Sequence, residues 1–165
     1  MKRTALLVLF FVLAAPVAYA EDSGLLPFEL KDQFNQKYTE KNFLGKVSVW
    51  IGSDRDGSVY NPMWGEALNQ SVQDLELAEA VHFVGVADLR GVPFFLKGFV
   101  RGKFPQKKER WVLMDWQGVF SKKYSFQAGV SNILVFSSTG DLVYRTTGEE
   151  PDKVKVDSIA GYIKG

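Results

Sequence analysis

The sequence predicts an α/β fold built on a mixed β-sheet, and three observations support that prediction. Two apolar segments, 46–51 and 81–87, flank a segment with helical periodicity. Two later strand-like segments flank a Gly-Asp turn, and a last amphipathic segment follows them. A strand-helix-strand crossover joins parallel strands, whereas a tight hairpin joins antiparallel ones. The sheet should therefore contain both kinds of neighbour.

The first predicted elements are a β-hairpin and a buried strand. Residues 28–33 alternate apolar and polar side chains, and residues 37–39 can pair back across a polar turn. Residues 46–51 then form a buried strand that ends at Gly52.

A helix and a second buried strand are predicted next. The polar loop 53–58 leads to Asn61 and Pro62, which are typical of a helix start. The following segment places apolar residues on one helical face, and residues 81–87 form the second strand. The face consists of Trp64, Leu68, Val72 and Leu75.

The remaining elements are a third strand, a hairpin and a terminal helix. Residues 111–114 form the strand, and residues 131–138 and 142–145 form the antiparallel hairpin. Pro151-Asp152 opens the last helix. Its apolar face consists of Val156, Ile159, Ala160 and Ile163.

The amino terminus predicts a cleaved secretory signal peptide. Lys2 and Arg3 precede an apolar run over residues 5–18, and Ala18-Tyr19-Ala20 matches the small residues that signal peptidase requires. The run is shorter than the roughly 20 residues of a spanning helix. We expect cleavage after Ala20, leaving residues 21–165 as a single, soluble domain in the periplasm or outside the cell.

The composition excludes several classes of function. The chain has no cysteine and one histidine, so we expect no disulfide, no transition-metal site and no cofactor. It has 20 basic and 19 acidic residues, and loss of Lys2 and Arg3 with the leader would leave 18 against 19. A near-neutral chain lacks the positive field of a nucleic-acid-binding protein.

Residues 25–165 resemble the thioredoxin-like superfamily, and more narrowly its exported thioredoxin-like and peroxiredoxin-like (redoxin) proteins. The resemblance depends on the order and spacing of four segments, and it implies a thioredoxin-like fold with an amino-terminal hairpin. The segments are 28–33, 44–50, 111–124 and 129–148.

The departures from that family concern its redox site. Redox-active relatives carry a Cys-x-x-Cys pair or a single reactive cysteine after the central strand, where this chain has Arg55 and Ser58, or Asp54 and Gly57 if the frame shifts by one. Relatives also place a cis-proline before the closing hairpin, where this chain has residues 131–133 without proline. Thiol exchange and peroxide reduction need sulfur. The resemblance therefore implies the fold without the activity.

We interpret the chain as a redox-inactive module that binds a protein or an extended peptide of the cell envelope. We assign no catalytic residue, and an oxidoreductase or antioxidant label would be inherited from the fold. The alternative is a thiol-independent enzyme that uses Asp54, Asp56 or His82 in a cleft. The binding candidates at the former redox site are Arg55, Ser58, Tyr60, Asn132 and Ile133.

Residues 94–110, the basic aromatic segment, contain six basic residues and one acid. One interpretation is a surface for anionic lipid or an acidic partner. The interpretation we prefer is a second helix with Phe95 and Phe99 buried and the lysines solvated. The candidate surface residues are Lys97, Arg101, Lys103, Lys107 and Lys108.

Three other features favour structural roles. Asp54-x-Asp56-Gly57 predicts an Asp-Gly turn, because an EF-hand loop with Gly57 at its sixth position would start at Gly52 and end at Met63. His82 lies in an apolar strand and should be a hydrogen-bonded structural histidine. The remaining aromatic candidates, which we expect in the core, are Trp64, Trp111 and Trp116.

Overall fold

Seven strands form one mixed sheet in the computed structural model, which describes residues 24–164. The predicted leader, residues 1–20, lies outside the described residues. The strands are β1 (Glu29–Asp32), β2 (Lys37–Thr39), β3 (Val47–Ser53), β4 (Val81–Asp88), β5 (Val112–Asp115), β6 (Ser131–Phe136) and β7 (Leu142–Gly148). The α-helices are α1 (Asn61–Asp74), α2 (Lys97–Arg101), α3 (Val119–Lys123) and α4 (Lys153–Lys164).

The strand order is β2-β1-β5-β4-β3-β6-β7. Strands β3, β4 and β5 run parallel, and α1 connects β3 to β4. The β1-β2 and β6-β7 pairs are antiparallel hairpins, as the sequence predicts. The predicted mixed sheet is confirmed. Strand β3 lies between β4 and β6, so both of its edges are hydrogen-bonded.

The core occupies both faces of the sheet, because consecutive side chains of a strand point to opposite faces. Val49 packs with Trp64 of α1 and Ile159 of α4 on one face. Trp50 belongs to an aromatic cluster on the other, where its ring stacks on Phe120 with centroids 4.5 Å apart. Burial on both faces fixes the end of β3, where the candidate site begins.

Two details differ from the sequence prediction. Helix α3 is not predicted, because its five residues are too few to show a helical period. Leu75 is exposed rather than buried. The reason is that α1 ends at Asp74 and Leu75 leaves the helical register that buries Trp64 and Leu68.

Candidate functional site

The loop after β3 is fixed to the turn before β6 by one carboxylate. Asp54 accepts hydrogen bonds from the backbone N–H of Gly57 at 2.9 Å and of Gly129 at 3.1 Å. The first bond forms the predicted Asp-Gly turn. The second joins two loops that are 75 residues apart in sequence.

Glycine at position 57 lets these loops touch. A Cβ atom on Gly57 would lie 2.7 Å from the backbone nitrogen and the carbonyl carbon of Val130, and closer still to its oxygen. Atoms of the backbone cannot rotate away from such a contact. The site at the end of β3 is therefore closed by direct backbone packing.

A series of side-chain hydrogen bonds holds the start of α1 beside the contact between these two loops. Asn61 donates from Nδ2 to Oγ of Ser53 at 2.9 Å, and Ser131 donates from Oγ to Oδ1 of Asn61 at 2.7 Å. Ser53 ends β3 and Ser131 begins β6. Because both serines are buried, these hydrogen bonds orient α1 against two central strands.

Three of the predicted binding residues lie in this loop. Arg55 and Ser58 are exposed and Tyr60 is half-buried, and the Ser58 hydroxyl donates to the carbonyl of Arg55 at 2.6 Å. Val59 and Met63, which are not among the predicted binding residues, are 66% and 40% exposed. Val59 and Met63 are four residues apart, a spacing that places two side chains on one side of a helix, and they lie off the face that contains Trp64. This spacing was the only indication of them in the sequence.

The other two predicted binding residues are interior, so their side chains are not exposed for contact with a peptide. Asn132 pairs with Gly52 of β3 and Thr147 of β7, and Ile133 is fully buried. The Asn132 side chain is used internally: it accepts from the N–H of Gln127 at 2.7 Å. A strand with neighbours on both edges has no free backbone for a peptide.

The structure does not bring together the residues of the alternative enzyme site. His82 pairs in register with Ser48, five residues before Ser53, which places it about 16 Å along the sheet from the Asp54 loop. Its side chain is half-buried and forms no hydrogen bond with residues 24–164, so the predicted hydrogen bond is absent. Within that range no three His, Asp or Glu side chains are grouped to hold a metal ion.

A second polar cluster, which the sequence analysis missed, lies at the ends of β4 and β5. Asp88 and Asp115 end these parallel strands in register. Asp115 is fully buried and accepts the N–H groups of the first three residues of α3, together with the Ser121 hydroxyl. Both aspartates end apolar strands, and this shared position was the feature of the sequence that could have indicated the cluster.

Asp88 forms an ion pair with Arg90, whose Nε donates to Oδ1 of Asp88 at 2.8 Å. The Arg90 side chain packs directly against the backbone of Gly118, and a Cβ atom on Gly118 would collide with the arginine. Burial by itself would raise the pKa of the Asp88 carboxyl, but the hydrogen bonds and charge of Arg90 outweigh burial and lower that pKa. The arginine therefore keeps a nearly buried carboxylate charged.

We expect Arg90→Gln to reduce the free energy of unfolding by about 1–2 kcal/mol at neutral pH, a value moderated by the partial exposure of Arg90. Because the folded pKa of Asp88 is lowered, the ion pair stabilises the protein above the ordinary carboxyl pKa of about 3.9. This contribution is lost as pH falls through the folded value. Urea unfolding at neutral and strongly acidic pH should show the difference shrinking. Arg110→Gln, on an exposed side chain, is the control, and an acid-independent difference for Arg90→Gln would contradict the assignment.

The basic aromatic segment is exposed, so the predicted burial of Phe95 and Phe99 is wrong. Phe94, Phe95 and Phe99 are 85%, 82% and 65% exposed. Val100 and Phe104 instead pack against the small core cluster of Ala87, Leu89 and Met114. Consecutive helical residues point about 100° apart, so a helix that buries Val100 turns Phe99 outward.

Two lysines of the segment lie over aromatic rings. Lys97 Nζ lies 5.2 Å from the centroid of the Trp116 ring, and Lys103 Nζ lies 4.7 Å from that of Phe99. Lys103, Lys107 and Lys108 are exposed, whereas Lys97 and Arg101 are half-buried. No helix in residues 24–164 has the length and apolar character of a membrane span.

No protein-family profile matches the chain, and no curated protein matches it. Among solved structures, the exposed lipoprotein thioredoxin Etrx1 of Streptococcus pneumoniae is 17% identical, with a TM-score of 0.59 over 84% of this chain and 98% of that one. Yeast Sco1 is 19% identical, with a TM-score of 0.59 over 88% and 97%. Peroxiredoxin Q of Xanthomonas campestris is 14% identical, with a TM-score of 0.55 over 86% and 92%. At these identities the likeness shows the fold alone, and the predicted thioredoxin-like fold is confirmed.

Proposed function

We propose that the protein is an exported, redox-inactive thioredoxin-like module that binds an extended peptide or protein segment through the loop after β3. The observation that carries the proposal is a pair of exposed apolar residues, Val59 on this fixed loop and Met63 in the first turn of α1. Arg55, Ser58 and Tyr60 accompany them. We call these five residues the loop surface.

The absence of thiol chemistry follows from composition. Disulfide exchange and peroxide reduction both pass through a sulfur that is oxidised and reduced in turn. No cysteine occurs among the 165 residues. In one of the two frames that the resemblance leaves open, Asp54 stands where redox-active relatives have a reactive cysteine, and here its carboxylate holds two loops together. The position supports structure and binding rather than electron transfer.

The loop surface has the physical properties of a recognition site. Its backbone is fixed by Asp54 and by the packing of Gly57 on Val130, so binding requires little further ordering of the loop. Val59 and Met63 supply apolar area, and methionine adapts its shape to different partners. Arg55, four residues before Val59, supplies a cation in the same loop, which favours a peptide that carries both an apolar and an acidic residue.

Export is supported by the leader pattern of residues 1–20. The Streptococcus pneumoniae protein of the same fold is described as an exposed lipoprotein. This chain has no cysteine to carry a lipid, so its leader would be removed by ordinary cleavage after Ala20. The proposed site of action is therefore outside the cytoplasm.

The proposal is tested by selecting peptides from a displayed random library on residues 21–165. We expect selected peptides to lose at least about tenfold in affinity when Val59 and Met63 are both changed to serine, since a few central apolar residues carry most binding energy. Leu75→Ser with Val154→Ser, on exposed apolar residues of other surfaces, is the matched control. The same preparation should neither reduce insulin disulfides nor consume hydrogen peroxide.

Two results would refute the proposal. Peptides that bind the Val59→Ser, Met63→Ser variant as tightly as the parent protein would place recognition elsewhere. Turnover of insulin or peroxide above a buffer blank, in a metal-free preparation, would show redox chemistry that does not use a cysteine thiol.

A further inference from the structure

We propose that the basic aromatic segment, residues 94–110, is a docking surface for an anionic lipid bilayer. It is separate from the loop surface and does not depend on the peptide-binding proposal. The juxtaposition that supports it is three exposed phenylalanines within a group of uncompensated cations.

The positive charge of the segment is not neutralised within the protein. The ion pairs of residues 24–164 join Lys37 to Glu29, Arg90 to Asp88, and two lysines of α4 to nearby aspartates. None of them involves a residue of the segment, although it contains six of the chain's basic residues and a single acid. The charge is therefore available to an anionic surface.

The aromatic residues form a projection rather than a groove. Phe94 and Phe95 are consecutive, and both side chains are more than four-fifths exposed. Neighbouring side chains point in different directions, so the exposure of both indicates that the backbone lies at the outer surface here. Phe99 continues this projection one helical turn later.

The projection is held firmly from below. Val100 and Phe104 pack on the cluster that contains Leu89 and Met114, so the backbone of the segment is anchored to β4 and β5. Exposed phenylalanines therefore belong to the folded arrangement. Burying them in a bilayer interface would remove apolar area from water without unfolding the segment.

A bilayer fits this surface better than a folded acidic protein. A convex ridge inserts between lipid headgroups, whereas a protein partner would have to supply a matching apolar groove. The flexible lysine stems can lie along the acyl boundary while their ammonium groups meet phosphates. Phosphatidylglycerol offers both features, so vesicles of that lipid are the appropriate probe.

The first experiment is sedimentation of residues 21–165 with vesicles of phosphatidylglycerol mixed with phosphatidylcholine. We expect binding to the mixed vesicles, little binding to pure phosphatidylcholine, and weakening as salt rises. Lys103, Lys107 and Lys108 changed together to glutamine should weaken binding by about a hundredfold at low salt, since each interfacial cation contributes about fivefold. The matched control changes Lys31, Lys41 and Lys123, which are exposed elsewhere and give the same net charge.

The second experiment tests insertion. The chain lacks cysteine, so Phe95→Cys provides a single site for an environment-sensitive fluorophore. We expect its emission to shift to the blue and to resist aqueous quenchers on mixed vesicles, whereas a label at Val154→Cys stays exposed. Phe94→Ser with Phe99→Ser should weaken vesicle binding at least tenfold and leave the melting temperature nearly unchanged.

Three outcomes would overturn the bilayer proposal. These are equal binding by the two lysine variants, a label at position 95 that remains quenchable, or strong binding to polyglutamate without binding to vesicles. The last result would assign the surface to an acidic protein instead. Each leaves the peptide selection on the loop surface unaffected, so the two proposals fail separately.

Discussion

Changing Asp115 to asparagine should lower the free energy of unfolding by about 3–5 kcal/mol, although the two side chains have nearly the same shape. The Asp115 carboxylate accepts three backbone N–H groups of α3 and one hydroxyl, with donor distances of 2.8 to 3.0 Å. Asparagine keeps one acceptor oxygen and replaces the other with an N–H₂ group. That group would face N–H donors in a fully buried position.

Loss of the Asp115 hydrogen bonds should also destabilise the aromatic cluster, because the start of α3 carries one of its rings. Phe120 lies within the first turn of α3 and stacks on Trp50 of β3 with ring centroids 4.5 Å apart, so an unsupported helix start would loosen this stack. We expect the melting temperature to fall by about 10–20 °C. Calorimetry on the parent and the Asp115→Asn variant measures this directly.

Asp56→Asn is the matched control, because Asp56 is exposed and forms no hydrogen bond or ion pair through its side chain within residues 24–164. Its effect should stay within about 0.5 kcal/mol. If Asp115→Asn behaves like this control, the carboxylate does not stabilise α3 as inferred.

The sequence predicts those parts of the fold in which local pattern and burial agree. Alternation over residues 28–33 and the apolar run over residues 46–51 predict β1 and β3. The spacing of Trp64, Leu68 and Val72 predicts the buried face of α1. In each case a sheet face or a helix face is buried in full, so the period of the pattern is preserved.

The site was less predictable because its contacts join residues distant in sequence. The bond from Asp54 to Gly129 and the contact of Gly57 with Val130 depend on how two loops meet. The resemblance predicts that Asn132 and Ile133 lie at a surface, because it implies a peptide groove nearby. Pairing of β6 on both edges, which only the complete sheet shows, places them inside.

The predicted burial of Phe95 and Phe99 in the basic aromatic segment is wrong for a different reason. Phe95 and Phe99 are spaced as a buried helical pair would be, but Val100 and Phe104 have the same spacing of four residues, each five positions later. A spacing of four residues shows that two side chains share a helical face, but it does not show which of two such faces is buried. The core cluster of Leu89 and Met114 decides in favour of Val100.

Changing Gly57 to alanine should destabilise the protein by about 3 kcal/mol, because the added methyl group would overlap the peptide unit of Val130. Relief requires movement of a backbone segment, either the loop after β3 or the turn that carries Gly129. Either movement would lengthen the hydrogen bond from Gly129 to Asp54. Chemical denaturation should show the loss of stability, and amide exchange at Gly129 should accelerate beyond the global change.

The same substitution at Gly98 provides the control with the opposite sign. Gly98 lies in α2, and a Cβ there would meet no atom within 4 Å. Alanine favours a helix over glycine by up to about 1 kcal/mol, so Gly98→Ala should be neutral or stabilising. The loop surface depends on the position of the loop after β3. Gly57→Ala should therefore also lower the affinity of peptides selected on the parent protein, whereas Gly98→Ala should not. A Gly57→Ala variant with unchanged stability, unchanged exchange at Gly129 and unchanged peptide affinity would show that the two loops separate without cost, and the closed joint would then have no role in holding the site.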